Sequence, residues 1–314
     1  AAQQPLLRQE MLAEELAEAC EPLALRRQFH AAVLDHDGAG FLLFGQPDIH
    51  QPVFGHVLVD EDVRHARQFD AAEKAEKRQT WRNAPRHSSG VAADPVANAD
   101  IAIVQVMAAH TYGWRGYFAV HPWIIYKRPG ETSYTRYDVV GWGGGNVVRK
   151  NYAIHDGLWF GSKPKVLADH RGEDAEALID QVEAAVQSYP FPREYRSYPG
   201  PNSNTFIAHI GRKVPDLNLD MPANAIGKDY RPISNPVGLS SSGQGMQANL
   251  LGLFGFSLGL EEGIELNLLG LNFGIDFNRP ALRLPSVGRL GMESVAVENT
   301  DQAKADEVAF EPNS

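Results

Sequence analysis

The chain has 314 residues, of which 43% are apolar, and its formal net charge is −10. This length suits one large domain or two, and the apolar content is high enough to build a sizeable core, which excludes a chain that is disordered throughout. The acidic balance excludes nucleic-acid binding, which requires a basic surface, and the single cysteine, Cys20, excludes an internal disulfide and a Cys-rich zinc site.

The first 84 residues are predicted to form a mainly helical region. Apolar residues recur at three- and four-residue spacing over 6–34, and 61–82 is a charged stretch with little apolar face. The histidines and aspartates between them follow no compact ligand motif, so we predict solvated loops, with no metal and no cofactor. The proline- and serine-containing stretch 85–95 is the predicted domain boundary.

Three strands are predicted after this boundary. Two apolar runs, 101–107 and 117–126, are rich in β-branched and aromatic residues, and 134–140 returns after a Pro-Gly turn. The glycine-bracketed stretch 112–116 between the first two runs is predicted to be a tight turn. The triglycine 143–145 lacks the lysine and Ser/Thr of a phosphate loop and is predicted to be a flexible bend.

Two helices are predicted in the second half of the core domain. Residues 174–188 carry apolar side chains on one side and Glu and Gln on the other. The turn Pro199-Gly-Pro-Asn-Ser203 is followed by an apolar run with helical character, for which Asn202 or Ser203 is the predicted N-cap. This stretch also fits an ordinary helix start without chemical function.

The glycine-rich region 236–292 has a period of two. From 250 to 268 the even positions are largely apolar, and from 269 to 277 the odd positions are, so the region is predicted to be β with a hairpin turn at 261–263 and a bulge or second turn at 268–269. The apolar face is expected to pack on the domain's own core, with a partner subunit or a membrane surface as the alternatives. Residues 293–314 are predicted to form an acidic tail.

A candidate catalytic group combines residues from the hairpin and the helix start. Ser203 is the candidate nucleophile, since the positive end of a helix dipole would stabilise a developing oxyanion. His121 is the candidate base, because burial would lower its pKa and favour the neutral form. The returning strand brings Tyr137 and Asp138 opposite His121, so Asp138, or Tyr137 in the other register, could orient the imidazole. A satisfied core histidine is the alternative interpretation of His121.

Further residues are candidates for binding. The backbone amide of Ser203, together with the Asn202 side chain, would bind the oxyanion. Arg115 and Lys228 would hold an anionic substrate group, although a surface salt bridge explains either residue equally well. Trp123, beside the candidate base, completes the predicted substrate-binding set.

Two stretches resemble a group of known enzymes. The strand His121-Pro-Trp-Ile-Ile-Tyr126 and, about 80 residues later, Asn202-Ser-Asn-Thr-Phe206 resemble permuted papain-like proteins, including the lecithin retinol acyltransferase-like group and relatives of NlpC-type peptidases. The resemblance implies a base at His121, a third group at Asp138 or Tyr137, and a nucleophile position at Ser203. Those enzymes have Cys at that position, and serine is a far weaker nucleophile at its ordinary pKa.

A broader resemblance covers residues from about 81 to 233. This part of the chain is similar to an uncharacterised bacterial family, domain of unknown function 3750, through four stretches: Tyr112–Trp123, Tyr137–Trp142, Pro199–Phe206 and Ala225–Asp229. The resemblance implies a membrane-anchored or exported protein. The start Ala-Ala-Gln-Gln fits cleavage by signal peptidase after a small residue, or a trimmed start.

The sequence as a whole predicts an α+β protein. It comprises a helical N-terminal region (1–84), a permuted papain-like core with an antiparallel sheet and helix (85–235), a glycine-rich amphipathic β region (236–292) and a tail (293–314). The first predicted function is a cell-envelope hydrolase or acyltransferase acting on an amide or ester. The alternative is a catalytically silent accessory subunit that binds a membrane surface or a membrane protein complex through 245–280. Either function implies a periplasmic or exported, membrane-associated location.

Overall fold

The structure, a computed structural model, describes residues 80–294. They form two antiparallel sheets and two helices, a mixed α+β arrangement in which strands predominate. The predictions for 1–79 and for the tail from 295 onward lie outside the described residues, as does Cys20, whereas the predicted boundary stretch 85–95 is described and contains no helix. Neither helix in the described part has the length and apolar character required to cross a membrane.

The first sheet has five strands in the order β4-β3-β2-β1-β5. Their bounds are β1 Ile103–His110, β2 Val120–Lys127, β3 Thr135–Val139, β4 Val148–Lys150 and β5 Lys165–Arg171. The predicted strands before and after the Pro-Gly turn are therefore confirmed, with Glu131 N donating to Arg128 O across the turn. The predicted tight turn between β1 and β2 is instead a 3₁₀ helix, Gly113–Tyr117.

Both faces of this sheet are covered, which explains why its central strands are apolar throughout. Helices α1 (Glu173–Gln187) and α2 (Ser203–Lys213) supply Leu178, Ile179, Phe206 and Ile207 to a core on one face. On the other face, Trp123 and Ile125 of β2 pack with loop residues that include Trp159. Residues of β2 alternate between these two cores because successive strand side chains point to opposite faces.

The second sheet has seven strands in sequence order, each paired with its neighbours along the chain. The strands are β6 Val237–Leu239, β7 Met246–Leu250, β8 Phe254–Gly259, β9 Gly263–Leu268, β10 Leu271–Asp276, β11 Ala281–Leu284 and β12 Gly288–Gly291. The change of phase after Leu268 is a two-residue turn, Leu269-Gly270, in which both residues have positive φ. The predicted period of two and the second turn are thus confirmed.

The orientation of this sheet is opposite to the predicted one. The apolar side chains of β8 and β9, such as Phe256 (57% exposed) and Leu266 (49% exposed), point outward. The alternating polar residues, such as Ser257, Glu265 and Asn267, are buried. The expectation that the apolar face packs on the domain's own core is therefore wrong.

Buried polar contacts explain why the polar face points inward. Glu265 forms an ion pair with Lys228, and Arg283 forms one with Asp220 at 2.5 Å. Asn267 donates to Asn272 at 3.0 Å within the same layer. Since an unpaired buried charge costs several kcal/mol, Lys228 requires the carboxylates of the inner face, and these carboxylates require Lys228.

Candidate functional site

The start of α2 is fixed by its cap. Asn202 is the N-cap, and its side-chain Oδ1 accepts from the backbone amides of Asn204 (2.9 Å) and Thr205 (3.2 Å). The Thr205 hydroxyl in turn accepts from the Asn202 amide at 3.1 Å, which completes a capping box. The turn preceding this cap contains two cis prolyl bonds, Tyr198-Pro199 and Gly200-Pro201.

The Asn202 side chain is engaged on both of its sides. Its amide nitrogen donates to Ser197 O (3.1 Å) and Ile226 O (3.0 Å), so both donor positions are used within the protein. Gly227 lies against it with φ +93°, and a Cβ there would come within 2.6 Å of Asn202 Nδ2. The predicted oxyanion contact would require Asn202 to break one of these bonds.

Ser203 is the first residue of α2 and is 4% exposed. Within residues 80–294 its hydroxyl makes no hydrogen bond, whereas the neighbouring Asn204 side chain donates to Val120 O at 3.1 Å and to Ile226 O at 2.9 Å. The helix tip therefore lies against the backbone at the start of β2. The contact is made by Asn204 and not by the candidate nucleophile.

His121 points to the other face of the five-stranded sheet. Its ring stacks on Trp159, with centroids 3.6 Å apart and an interplanar angle of 7°, and lies 6.0 Å from the ring of Trp123. The adjacent Val120 belongs to the core that α2 covers, whereas Trp123 and Trp159 belong to the opposite core. The structure thus separates His121 from Ser203 by the thickness of the sheet.

His121 does meet Asp138, although the hairpin register differs from the predicted one: Ile124 pairs with Tyr137, so Asp138 lies opposite Trp123 and reaches His121 diagonally. The distance from Nε2 to Asp138 Oδ2 is 3.6 Å, an ion-pair distance slightly longer than a hydrogen bond. Burial lowers the pKa of His121, and the Asp138 charge only partly offsets this effect. Tyr137, the alternative third group, lies on the helix-covered face, where its ring centroid is 6.4 Å from that of Tyr126.

Asp138 has a stronger partner, Arg136, which was not among the predicted site residues. Arg136 Nη2 donates to Asp138 Oδ2 at 2.8 Å, and both side chains are almost fully buried. Burial opposes ionisation of Asp138, but the contacts with His121 and Arg136 outweigh it and hold its pKa below the ordinary value. The guanidinium also lies 4.2 Å from the centre of the Trp123 ring. The two-residue spacing of Arg136 and Asp138 on a predicted strand could have revealed this pair.

The predicted substrate-binding residues lie apart from one another. Arg115 is exposed on the 3₁₀ helix, 5.8 Å from the centre of the Trp114 ring. Trp123 is fully buried, and its ring nitrogen donates to His155 O at 2.7 Å. Lys228 is fully buried between Glu265 and Asp229, and these carboxylates raise its pKa against the effect of burial. Its charge is already compensated inside the protein.

Within residues 80–294, the outward face of the seven-stranded sheet, which we call the apolar face, carries exposed apolar side chains on every strand. One row crosses all seven strands in direct register: Leu239, Met246, Leu258, Ile264, Ile275, Leu282 and Leu290. A second row contains Val237, Ala248, Phe256, Leu266 and Phe273, and a third contains Leu250, Phe254, Leu268 and Leu271. No polar or charged side chain interrupts these three rows.

Comparison with known proteins identifies the core domain and not its chemistry. No curated protein and no solved structure matches the chain. Among residues 80–294, no group of three or more His, Cys, Asp or Glu side chains is arranged to hold a metal ion. One family model matches residues 101–230, which include β1 to β5, both helices and every predicted site residue. Residues 101–230 thus match the family described as protein of unknown function, DUF3750.

Proposed function

We propose that this protein is an accessory protein that attaches to a membrane surface through the apolar face. The observation that carries the proposal is the row of seven apolar side chains that crosses the whole sheet without a polar interruption. Soluble monomers rarely expose contiguous apolar patches beyond a few hundred Å². Seven strands spaced about 4.8 Å apart span roughly 30 Å, so this face exceeds the size that needs no explanation.

The chemistry of the face favours lipid over a protein partner. Protein interfaces carry about one hydrogen bond per 100–200 Å², supplied by polar groups within the contact area. The three rows offer only aliphatic, methionine and phenylalanine side chains, and the backbone groups of the inner strands are already paired within the sheet. Acyl chains neither offer nor require hydrogen bonds, so hydrocarbon matches this surface without leaving polar groups unsatisfied.

The expected gain is large enough for stable attachment. Phe254, Phe256, Leu258, Ile264 and Leu266 are each about half exposed. Fully burying such a side chain contributes roughly 1.5–3 kcal/mol, so completing the burial of all three rows contributes on the order of 10 kcal/mol before the cost of immobilisation. The inner face, held by the Lys228–Glu265 ion pair, keeps the apolar face turned outward.

This proposal retains the predicted partner and location. The membrane contact uses strands within 245–280, together with their neighbours on both sides, and the protein is then a periplasmic or exported, membrane-associated one. A membrane protein complex is the alternative occupant of this face, and vesicle flotation distinguishes it from lipid.

The hydrolase or acyltransferase hypothesis and the permuted papain-like fold stay predictions. Turnover by Ser203 would require its hydroxyl to reach a base, whereas His121 stacks on Trp159 on the opposite face. The buried charges of Arg136 and Asp138 compensate each other. Within residues 80–294, no packing partner covers the apolar face in a comparable way.

Vesicle flotation with single substitutions tests the proposal. The full chain should float with phosphatidylcholine vesicles, and Phe256→Asp or Leu266→Asp should weaken binding by at least about tenfold, because a carboxylate would have to enter hydrocarbon. Val96→Asp is the matched control, since Val96 is 65% exposed and lies outside the second sheet. Equal losses for Phe256→Asp and Val96→Asp would contradict the proposal. The proposal would also be contradicted if the full chain did not bind vesicles but formed a stable protein complex through the apolar face.

A further inference from the structure

A cleft of about 560 Å³ lies at the β6 edge of the second sheet. Its volume is within the range of small-molecule sites. It is lined by the segment after α1, by α2 and by the segment leading into β6, including Tyr189, Phe191, Arg212, Lys213, Arg231 and Leu239. Leu239 also begins the longest row of the apolar face, so the cleft and that face are continuous.

Two arginines in the cleft have no carboxylate partner. Arg212 donates to the carbonyl oxygens of Leu239 (3.1 Å) and Lys228 (2.6 Å) and to Gln247 Oε1 (3.2 Å). Arg231 donates to two carbonyl oxygens of its own loop, at 2.9 Å each. Among the described residues neither guanidinium forms an ion pair, and the Nη1 of each makes no hydrogen bond.

The electrostatics of the cleft favour an anion. Burial lowers the pKa of Arg212 to about 10, and the charge of Arg231 adds to this shift, while Asp229 and Glu262 oppose it from a distance. Burial also lowers the pKa of Arg231. Both groups remain charged at neutral pH, and Lys213 adds a third, exposed cation. An anion placed between them would give each guanidinium a direct ion pair, which Asp229 and Glu262 do not provide.

Three aromatic side chains, Tyr189, Phe191 and Tyr230, line one wall of the cleft, and one of them carries an unsatisfied donor. Phe191 packs edge-on against Tyr230, with centroids 5.7 Å apart, and against Tyr189 at 5.8 Å. Tyr189 is 4% exposed, and its buried hydroxyl has no hydrogen-bond partner. Burial raises the pKa of Tyr189, so the phenol stays protonated and able to donate. An unpaired buried hydroxyl is costly unless a ligand satisfies it.

We propose that this cleft binds one anionic lipid, with its phosphate between Arg212 and Arg231 and an acyl chain along the aromatic wall toward Leu239. The inference rests on the proposed function and deepens it, because it names the class of lipid recognised at the membrane. The cations account for the negative head group, and the mainly apolar lining accounts for the chain. A free phosphate would leave the aromatic wall uncovered.

Titration with short-chain lipids below their micelle concentration tests the proposal on the full chain. Calorimetry should show dihexanoyl phosphatidic acid binding at least about tenfold more tightly than dihexanoyl phosphatidylcholine or inorganic phosphate. Arg231→Gln should weaken phosphatidic acid binding by at least about tenfold, because it removes a charge-assisted hydrogen bond to the phosphate. Arg149→Gln is the matched control, since Arg149, like Arg231, is half-buried and donates only to backbone carbonyls, those of Trp142 and Gly144.

Two further variants separate this inference from the proposed function. Lys213→Gln changes an exposed cation and should weaken phosphatidic acid binding even if Arg231→Gln proves unstable. Leu266→Asp should abolish flotation with vesicles yet keep binding of the short-chain anionic lipid. Inorganic phosphate binding as tightly as phosphatidic acid, or equal effects of Arg231→Gln and Arg149→Gln, would overturn the lipid site and leave the vesicle result unaffected.

Discussion

Lys228 and Glu265 form a fully buried ion pair that joins the loop after α2 to the inner face of the second sheet. Asp229 lies 3.3 Å from the same ammonium, and Arg283 lies 3.5 Å from the other oxygen of Glu265. The inner face is therefore a charged layer, and Lys228 in the loop after α2 complements its carboxylates. The outward position of the apolar face follows from this layer.

Glu265→Leu should destabilise the protein strongly. The substitution leaves the buried Lys228 ammonium with Asp229 alone, and breaking a buried pair costs about 3–5 kcal/mol. Asp180→Asn provides the comparison, because its pair with Arg128, at 2.6 Å, is on the surface and should contribute about 1 kcal/mol or less. Urea unfolding of both variants measures the difference. Similar losses would mean that the ion pair does not hold the sheet.

Alanine substitutions of two adjacent residues at the start of α2 should change the free energy of unfolding by very different amounts. Asn202→Ala removes the cap and the side-chain bonds to Ser197 and Ile226, so a loss of about 2 kcal/mol or more is expected. Ser203→Ala removes a hydroxyl without a partner and adds a better helix former, so stability should change by less than about 0.5 kcal/mol. Chemical denaturation checks both values. A loss above about 1 kcal/mol for Ser203→Ala would reveal a hydroxyl contact that the structure lacks.

Local structure could be predicted from the sequence because it depends on short-range patterns. The β2–β3 hairpin followed from two apolar runs around Pro129-Gly130, and the alternation over 254–276 gave the strands of the second sheet. The helix start followed from the preceding turn and from the cap preference of Asn202 or Ser203, of which the structure uses Asn202. Each of these features is determined by residues within a few positions of one another.

The orientation of the second sheet could not be predicted in the same way. Alternation separates two faces but does not say which one turns inward, and hydrophobic burial favours the apolar one. The deciding partners, Lys228 and Asp220, lie outside the strands and far from Glu265 and Arg283 in the sequence. A buried charge layer is a tertiary property, so the general expectation for amphipathic sheets failed here.

The separation of His121 from Ser203 has a related cause. Central strand β2 is buried on both faces, so its sequence is apolar at odd and even positions and does not indicate which face a helix covers. His121 shares its face with Trp123 and Ile125, whereas α2 covers Val120 and Ile124. Spacing along the chain placed the two candidates near the same strand end but could not place them on the same side.

Gly227→Ala should lower the free energy of unfolding by more than the strain of a positive φ alone. Gly227 has φ +93°, and an added Cβ would lie 2.6 Å from Nδ2 of the capping residue Asn202. Gly145→Ala is the control, because Gly145 also has positive φ (+72°) but nothing within 4 Å of the new methyl. We expect a loss of stability of about 1–2 kcal/mol for Gly145→Ala and at least about 1 kcal/mol more for Gly227→Ala, measured by thermal unfolding. Equal losses would show that the Asn202 side chain moves away from the new methyl group without strain.

Stability should fall as the pH drops from about 6.5 to 4, in part because of His209. Burial lowers the pKa of His209 to about 4, against about 6.5 in the unfolded chain. Within this window His209 binds a proton in the unfolded state but not in the folded state. Its contribution to stability is therefore complete above pH 6.5 and is lost toward pH 4. His121, whose pKa is also lowered by burial, acts with the same sign.

The comparison of wild type with His209→Gln isolates the His209 contribution. The difference between a pKa of about 4 in the folded protein and about 6.5 in the unfolded chain corresponds to a loss of stability of about 3 kcal/mol. Because the half-buried imidazole is partly screened by solvent, we expect a loss on the order of 1–2 kcal/mol. The free energy of unfolding in urea, measured at pH 7 and at pH 4.5, should fall more steeply for wild type than for His209→Gln. Carboxylates such as Asp138 titrate in both proteins and cancel in the difference. Parallel pH profiles would show that His209 is charged as readily in the folded state as in the unfolded chain.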